Sequence, residues 1–136
     1  MMKIAVDFDG TIVEHEYPEI GEEKLFAIET LKQIQKKGHL IILWTYRTGG
    51  ELNAAVEFCR KSGLEFYAVN KNYPEEVYDE TTPRKLNADM YIDDRNFGGF
   101  VEWGKIWELF SDESIEVLES NFLKKNKKSF WKRIFK

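Results

Sequence analysis

Short apolar runs of strand length alternate along this chain with segments whose apolar residues recur at helical spacing, and that alternation leaves few ways to fold. Residues 3–8 read as a strand through Ile4-Ala5-Val6. In "EEKLFAIETLKQIQKKG" Leu25, Ile28, Leu31 and Ile34 fall on one helical face, and Gly38 suits the end of that helix. "HLIILWT" has the length and composition of a buried parallel strand. "TGGELNAAVEFCRKSG" reads as a second helix, with Thr48 and Glu51 spaced as a capping box and Gly63 closing it. "LEFYAVN" and "ADMYIDD" are two further strands, separated by the polar "KNYPEEVYDETTPRK", read as loop or one short helix. "VEWGKIWELF" and "SDESIEVLESNFL" are closing helices, the second starting at a Ser or Asp cap. Strands that alternate with helices predict an α/β chain: three α/β/α layers around a mainly parallel sheet. Trp103, Trp107 and Phe110 at helical spacing, and Cys59 on an apolar helix face, are expected in the core.

At 136 residues, 43% of them apolar and 15% aromatic, the chain fits one well-buried domain and not a disordered segment. No apolar run is long enough to span a bilayer, and the N-terminus lacks the features of a secretory signal. Cys59 is the single cysteine, which rules out an internal disulfide and a CxxC-type zinc site. These readings agree on a cytoplasmic protein. The net charge of -4 hides an asymmetry, because "KKNKKSFWKRIFK" at the end holds seven Lys and Arg side chains and no acid. The remainder carries 13 basic against 24 acidic side chains. The chain is therefore divided into a domain over 1–123 and a basic, aromatic tail over 124–136. Phe130, Trp131 and Phe135 interleave with lysines there, so contact with an anionic membrane or a nucleic-acid backbone is one reading of the tail. The other is a solvated helix folded back on the acidic body.

The first strand ends in a costly way, delivering Asp7 and Asp9 with only Phe8 between them. Burying one carboxylate is unfavourable and two repel, so something must offset the cost, most simply a cation. Thr45 ends the second strand, and Asp93 and Asp94 end the fourth. In an open parallel sheet all of these lie on the carboxyl edge, where ligand crevices form. Four carboxylates without a neighbouring Cys or His favour a hard cation with oxygen ligands, magnesium (Mg2+) first. With Thr45 and Lys85 added, such a site suits a phosphoryl group, and the helix beginning near Gly49-Gly50 directs its positive end at the same crevice.

The motif "DFDGT" resembles the D-x-D-x-T signature of the haloacid dehalogenase-like (HAD) superfamily of phosphohydrolases, which carry a Rossmann-like fold. Later HAD motifs follow in order: the threonine of "ILWTYR", the lysine of "TPRKLNAD" and the acids of "YIDDRN". The resemblance covers about residues 3–110. It implies that Asp7 attacks phosphorus and forms an aspartyl-phosphate, while Asp9 donates a proton to the leaving oxygen and later takes one from water. Asp7, the Asp9 backbone carbonyl and Asp94 would hold magnesium, with Asp93 in an outer or water-mediated role. Thr45 and Lys85 would hold the phosphoryl oxygens, Lys85 being preferred to Arg84, with Gly10 and Tyr46 as further phosphate-binding positions. Gly10 would also let the chain turn out of its strand, and Thr11 would orient Asp9 or the turn, or touch substrate.

Only short connections separate the motifs, so no cap domain is expected, and the site would be open to a bulky phosphorylated substrate or closed by oligomerisation. The loops at 14–20 and 70–84 are the segments able to contact a leaving group. Arg47 is read either as a substrate contact or as half of a surface salt bridge, Arg95 as a structural ion pair, and His15 and His39 as exposed or structural. The function expected is therefore a magnesium-dependent phosphomonoester hydrolase. The rivals are a nucleotide or nucleic-acid-end phosphatase, and a non-catalytic phosphate-binding or scaffold domain that works through its tail.

Overall fold

The computed structural model describes residues 1–112 together with Glu116, Glu119, Ser120, Leu123 and Lys124. The helix expected over 111–123 and the basic tail expected over 124–136 fall largely outside these residues. In chain order the elements are β1 (Lys3–Val6), α1 (Ala27–Lys36), β2 (Leu40–Leu43), α2 (Gly49–Lys61), β3 (Ala68–Val69), β4 (Met90–Ile92) and α3 (Trp103–Phe110). The four strands form one parallel sheet in the order β3-β2-β1-β4, with Ile4 beside both Ile41 and Met90. Among the described residues this is an α/β protein with an all-parallel sheet and three helices, arranged as a small three-layer Rossmann-like fold.

The period of two along each strand sorts the residues between the layers. Ile4, Val6 and Phe8 of the first strand segment and Ile41 and Leu43 of β2 are fully buried against Ile28, Leu31 and Ile34 of α1, Ala55 and Cys59 of α2, and Trp103 and Trp107 of α3. Each such aliphatic side chain contributes roughly 1.5–3 kcal/mol by leaving water. Residues of the opposite parity, Ala5, Ile42 and Ala68, with Tyr91 of β4, form a second cluster with Leu86 and Tyr67 on the other face. The strand order explains the division. Two successive crossovers step from β1 to β2 to β3 in one direction and carry their helices on one face, whereas the return from β3 to β4 crosses the other. That return, residues 70–89, contains no helix, so the second covering layer is built from loop.

The first helix starts later than its apolar spacing predicts. Leu25 matches the period but is 43% exposed, and the helix begins only after Phe26, which takes a left-handed φ of 69°. The cause lies in the backbone. Glu14 N–H donates to the Glu22 carbonyl and Lys24 N–H to the Ile12 carbonyl, so residues 22–24 are already paired with 12–14. Residues 15–21 become an excursion closed at its base, and Gly21 passes so close to the Glu14 carbonyl that an added Cβ would lie 2.2 Å from the oxygen. Thr48 caps α2 by position without a side-chain hydrogen bond, so the capping box is not formed. No helix among the described residues is long and apolar enough to cross a membrane.

Candidate active site

Strand order reverses between β1 and β4, and crevices of parallel sheets open at such a reversal, beyond the carboxyl ends of the strands. Asp7 follows β1 directly and extends the ladder, its N–H donating to the Ile92 carbonyl at 3.0 Å. The Phe8 carbonyl then receives the N–H groups of Thr11, Ile12 and Val13, a tight turn that holds Phe8 in the core and Asp7 and Asp9 at the sheet edge. Asp93 and Asp94 follow β4. A cavity of about 380 Å³ opens here, lined by Asp7, Asp9, His15, Trp44, Thr45, Tyr46, Asp93 and Arg95.

Asp7, Asp93 and Asp94 each offer a carboxylate oxygen, and these atoms lie within 4.8 Å of one another. The trio joins both acids of the second pair, Asp93 as well as Asp94, to the first strand's Asp7. Thr11 is fully buried, and its hydroxyl bridges Asp7 Oδ2 at 3.4 Å and Asp94 Oδ1 at 3.3 Å. It therefore orients these two acids, not Asp9, and has no exposed surface to offer a substrate. Its carbonyl accepts the Trp103 indole N–H at 2.7 Å, which pins α3 to the turn. An all-oxygen donor set of this kind fits a hard divalent cation such as Mg2+.

The proximity has an electrostatic signature. Burial pushes the Asp7 carboxyl up, the Phe8 N–H opposes this, and the neighbouring charges of Asp93 and Asp94 push it up further, to about 7. Burial also pushes Asp94 upward, but hydrogen bonds with Asp93, Asp7 and Thr11 outweigh it, and that carboxyl is held low. Without a cation, the cluster thus holds a proton on Asp7 up to about pH 7, beside an Asp94 that stays ionised.

Gly10 has one structural task. Its φ is +83°, and a Cβ there would sit 2.2 Å from Asp94 Oδ2. Its N–H donates to the Val13 carbonyl, so the phosphate-binding role expected for it is taken by an internal bond. Gly10→Ala should cost about 2–3 kcal/mol, from the left-handed backbone and the displaced Asp94 carboxylate, and any Mg2+ that the trio holds should bind tenfold or more weakly. Thermal melts with and without Mg2+ check both parts.

Asp9 stands apart from the acidic trio. Both its oxygens accept from Arg47, Oδ2 from Nε at 2.7 Å and Oδ1 from Nη2 at 2.8 Å. Arg47 is fully buried, so neither a surface salt bridge nor direct substrate contact describes it. Thr45 lines the cavity, its hydroxyl oxygen accepting the Arg47 N–H at 3.2 Å. Tyr46 is 91% exposed at the mouth and edge-on to Tyr17. Lys85 does not line the cavity; its ammonium lies over the Tyr91 ring, 5.2 Å from the centroid. Arg95 lines the cavity and makes no ion pair among the described residues, and His15, exposed, also reaches the wall. His39 is structural, accepting the Met2 N–H at 3.0 Å and packing on Phe110.

Asn70 was not singled out from sequence. Its side-chain oxygen accepts the Thr45 N–H at 2.8 Å while its own N–H donates to the Leu43 carbonyl at 2.7 Å, so it sets the turn carrying Thr45. Its φ of 55° explains the residue type, since asparagine tolerates the left-handed region, and an Asn closing a strand was the available signal.

Fold and site together define a small parallel α/β domain with an acidic, cation-competent cluster at the switch point of its sheet. Among solved structures it matches a conserved protein from Bacteroides thetaiotaomicron, with 60% sequence identity and a TM-score of 0.75, over 79% of this chain and 88% of the other. The chain belongs to the same family as that protein. No protein-family model matches the chain, and neither does any curated protein.

Proposed function

We propose that this protein is a magnesium-dependent phosphomonoester hydrolase of the HAD type, working through an aspartyl-phosphate on Asp7. The observation that carries the reading is the convergence of Asp7, Asp93 and Asp94 within 4.8 Å at the switch point, on a cavity that Thr45 also lines. Mg2+ held by these three acids would neutralise their mutual repulsion and the charge of a phosphoryl group. Asp7 attacks phosphorus; its Oδ–P bond forms as the bond to the leaving oxygen breaks, and Asp9, ionised against Arg47 in the resting site, passes to that oxygen the proton that a phosphomonoester monoanion brings. Water then attacks the phospho-Asp7 phosphorus, giving its proton to Asp9 and releasing inorganic phosphate. Thr45 orients phosphoryl oxygens. For Lys85 to join it, the ammonium must leave the Tyr91 ring.

Among the described residues no folded unit covers the cavity, which supports a bulky substrate. Trp44 and the exposed Tyr46 on its wall favour a leaving group with a ring to stack, and so keep the nucleotide or nucleic-acid-end reading as the second choice. The lone, buried thiol of Cys59 is in keeping with a cytoplasmic setting.

The test is release of phosphate from p-nitrophenyl phosphate with Mg2+ or with a chelator. Mg2+-dependent turnover that falls at least a thousandfold in Asp7→Asn is expected. Turnover that persists in that variant, or in chelator, would remove the reading.

A further inference from the structure

Among the described residues Arg47 is the most fully committed side chain. A guanidinium has five N–H donors, and each finds an acceptor here. Nε and Nη2 hold the two Asp9 oxygens, Nη2 also reaches the Glu19 carbonyl at 2.7 Å, and Nη1 reaches the carbonyls of Pro18 at 3.1 Å and Glu51 at 3.3 Å. The rings of Phe8 and Tyr17 each lie 5.1 Å from its Cζ. Carrying a cation to zero exposure is expensive, and such a group persists where its geometry is wanted. What that geometry fixes is a carboxylate on the cavity wall. Asp9 keeps 11% of its side chain exposed, toward the crevice, while a rigid fork holds it from behind. The same fork ties the 15–21 excursion, through Pro18 and Glu19, to the start of α2, through Glu51.

We infer that Arg47 is the positioning residue of Asp9. It sets the angle at which this carboxylate meets a leaving oxygen or an attacking water, and it anchors the 15–21 excursion that carries His15 on the cavity wall. The inference rests on the phosphatase reading above and adds to it a residue that touches neither substrate nor cation.

The experiment uses acetyl phosphate, whose leaving carboxylate departs without a proton, so that phospho-Asp7 can form without help from Asp9. Arg47→Lys, Asp9→Asn and the double variant are compared with the wild type. Arg47→Lys should form phospho-Asp7 within about tenfold of the wild-type rate but hydrolyse it at least a hundredfold more slowly, the scale of a lost general base. Its kcat and KM should fall together while kcat/KM, which reports formation alone, stays within about tenfold of the wild type, and the double variant should be no slower than Asp9→Asn, because the two act as one unit. Losses that multiply in the double variant, or that strike formation and hydrolysis equally, would overturn the inference and leave Arg47 a merely structural residue. Absence of phospho-Asp7 in the wild type itself would sink the phosphatase reading, and this inference with it. Should Arg47→Lys fold too weakly to assay, Tm carries the test: Asp9→Asn should melt at least about 10 °C below Asp7→Asn, and equal melting would overturn the pairing.

Discussion

Asp9→Asn should cost the fold about 3–5 kcal/mol and lower Tm by roughly 10–20 °C, whereas the equally conservative Asp7→Asn should not lower it at all. The two aspartates are two residues apart, yet their surroundings are opposite. Asp9 is the one carboxylate within salt-bridge distance of Arg47 among the described residues, and that guanidinium has no exposed surface. Asparagine keeps one acceptor oxygen in the fork but turns its NH2 toward a guanidinium N–H. A buried cation is then left without its counter-charge, and orphaning a charge costs more than the attraction between the pair ever contributed. A double replacement by apolar residues, Arg47→Met with Asp9→Leu, should therefore recover much of the loss. Asp7, by contrast, sits among like charges, and neutralising it relieves Asp93 and Asp94. Thermal melts of the metal-free proteins at neutral pH decide the matter; equal melting of the two single variants would show that Arg47 does not depend on Asp9.

Much of this arrangement was legible in the chain, for reasons that can be named. A strand buried on both faces is a short apolar run, so β1, β2 and β4 announced themselves, and the acids and Thr45 just beyond them had to share the carboxyl edge of a parallel sheet. Where periodicity met a competing backbone demand it misled. Leu25 fits a helical face, but pairing of residues 12–14 with 22–24 claims the backbone first. The alternation of strands and helices also predicted a helix layer on each face, whereas the 70–89 return is loop. The role of Arg47 was beyond sequence because its partners lie 28, 29 and 38 residues away, on segments brought together only by the turn after β1. Lys85 illustrates the same limit in reverse: its place in the chain says nothing of which aromatic ring its ammonium will meet. The acids ending strands were readable; the cations that hold or face them were set by loops.

The metal-free protein should lose stability as pH rises toward neutrality, and Mg2+ should restore it. Asp7 carries its proton to about 7 in the fold against 3.8 for the free side chain, chiefly because burial disfavours the charged form and Asp93 and Asp94 add repulsion. Between these values the folded state holds a proton that the unfolded state has released. The contribution of Asp7 to stability is therefore complete below about pH 4 and is lost as pH climbs through about 7. With allowance for solvent screening at a half-buried carboxyl, the loss amounts to about 2 kcal/mol. Asp94, held low, runs the other way and stays ionised throughout this window. A cation competes with the Asp7 proton, so Mg2+ affinity should rise with pH and level off above about 7, and at a hundredfold its dissociation constant the ion should add about 2.7 kcal/mol. Melting curves from pH 5 to 8, in chelator and in Mg2+, test this for the wild type against Asp7→Asn. The wild type in chelator should fall relative to the variant as pH rises, cross below it near neutrality, and regain its lead only with Mg2+. A wild type that instead gains on Asp7→Asn from pH 5 to 8 in chelator would mean that Asp7 is ionised and compensated without a metal. The acidic trio would then be a surface feature and not a cation site.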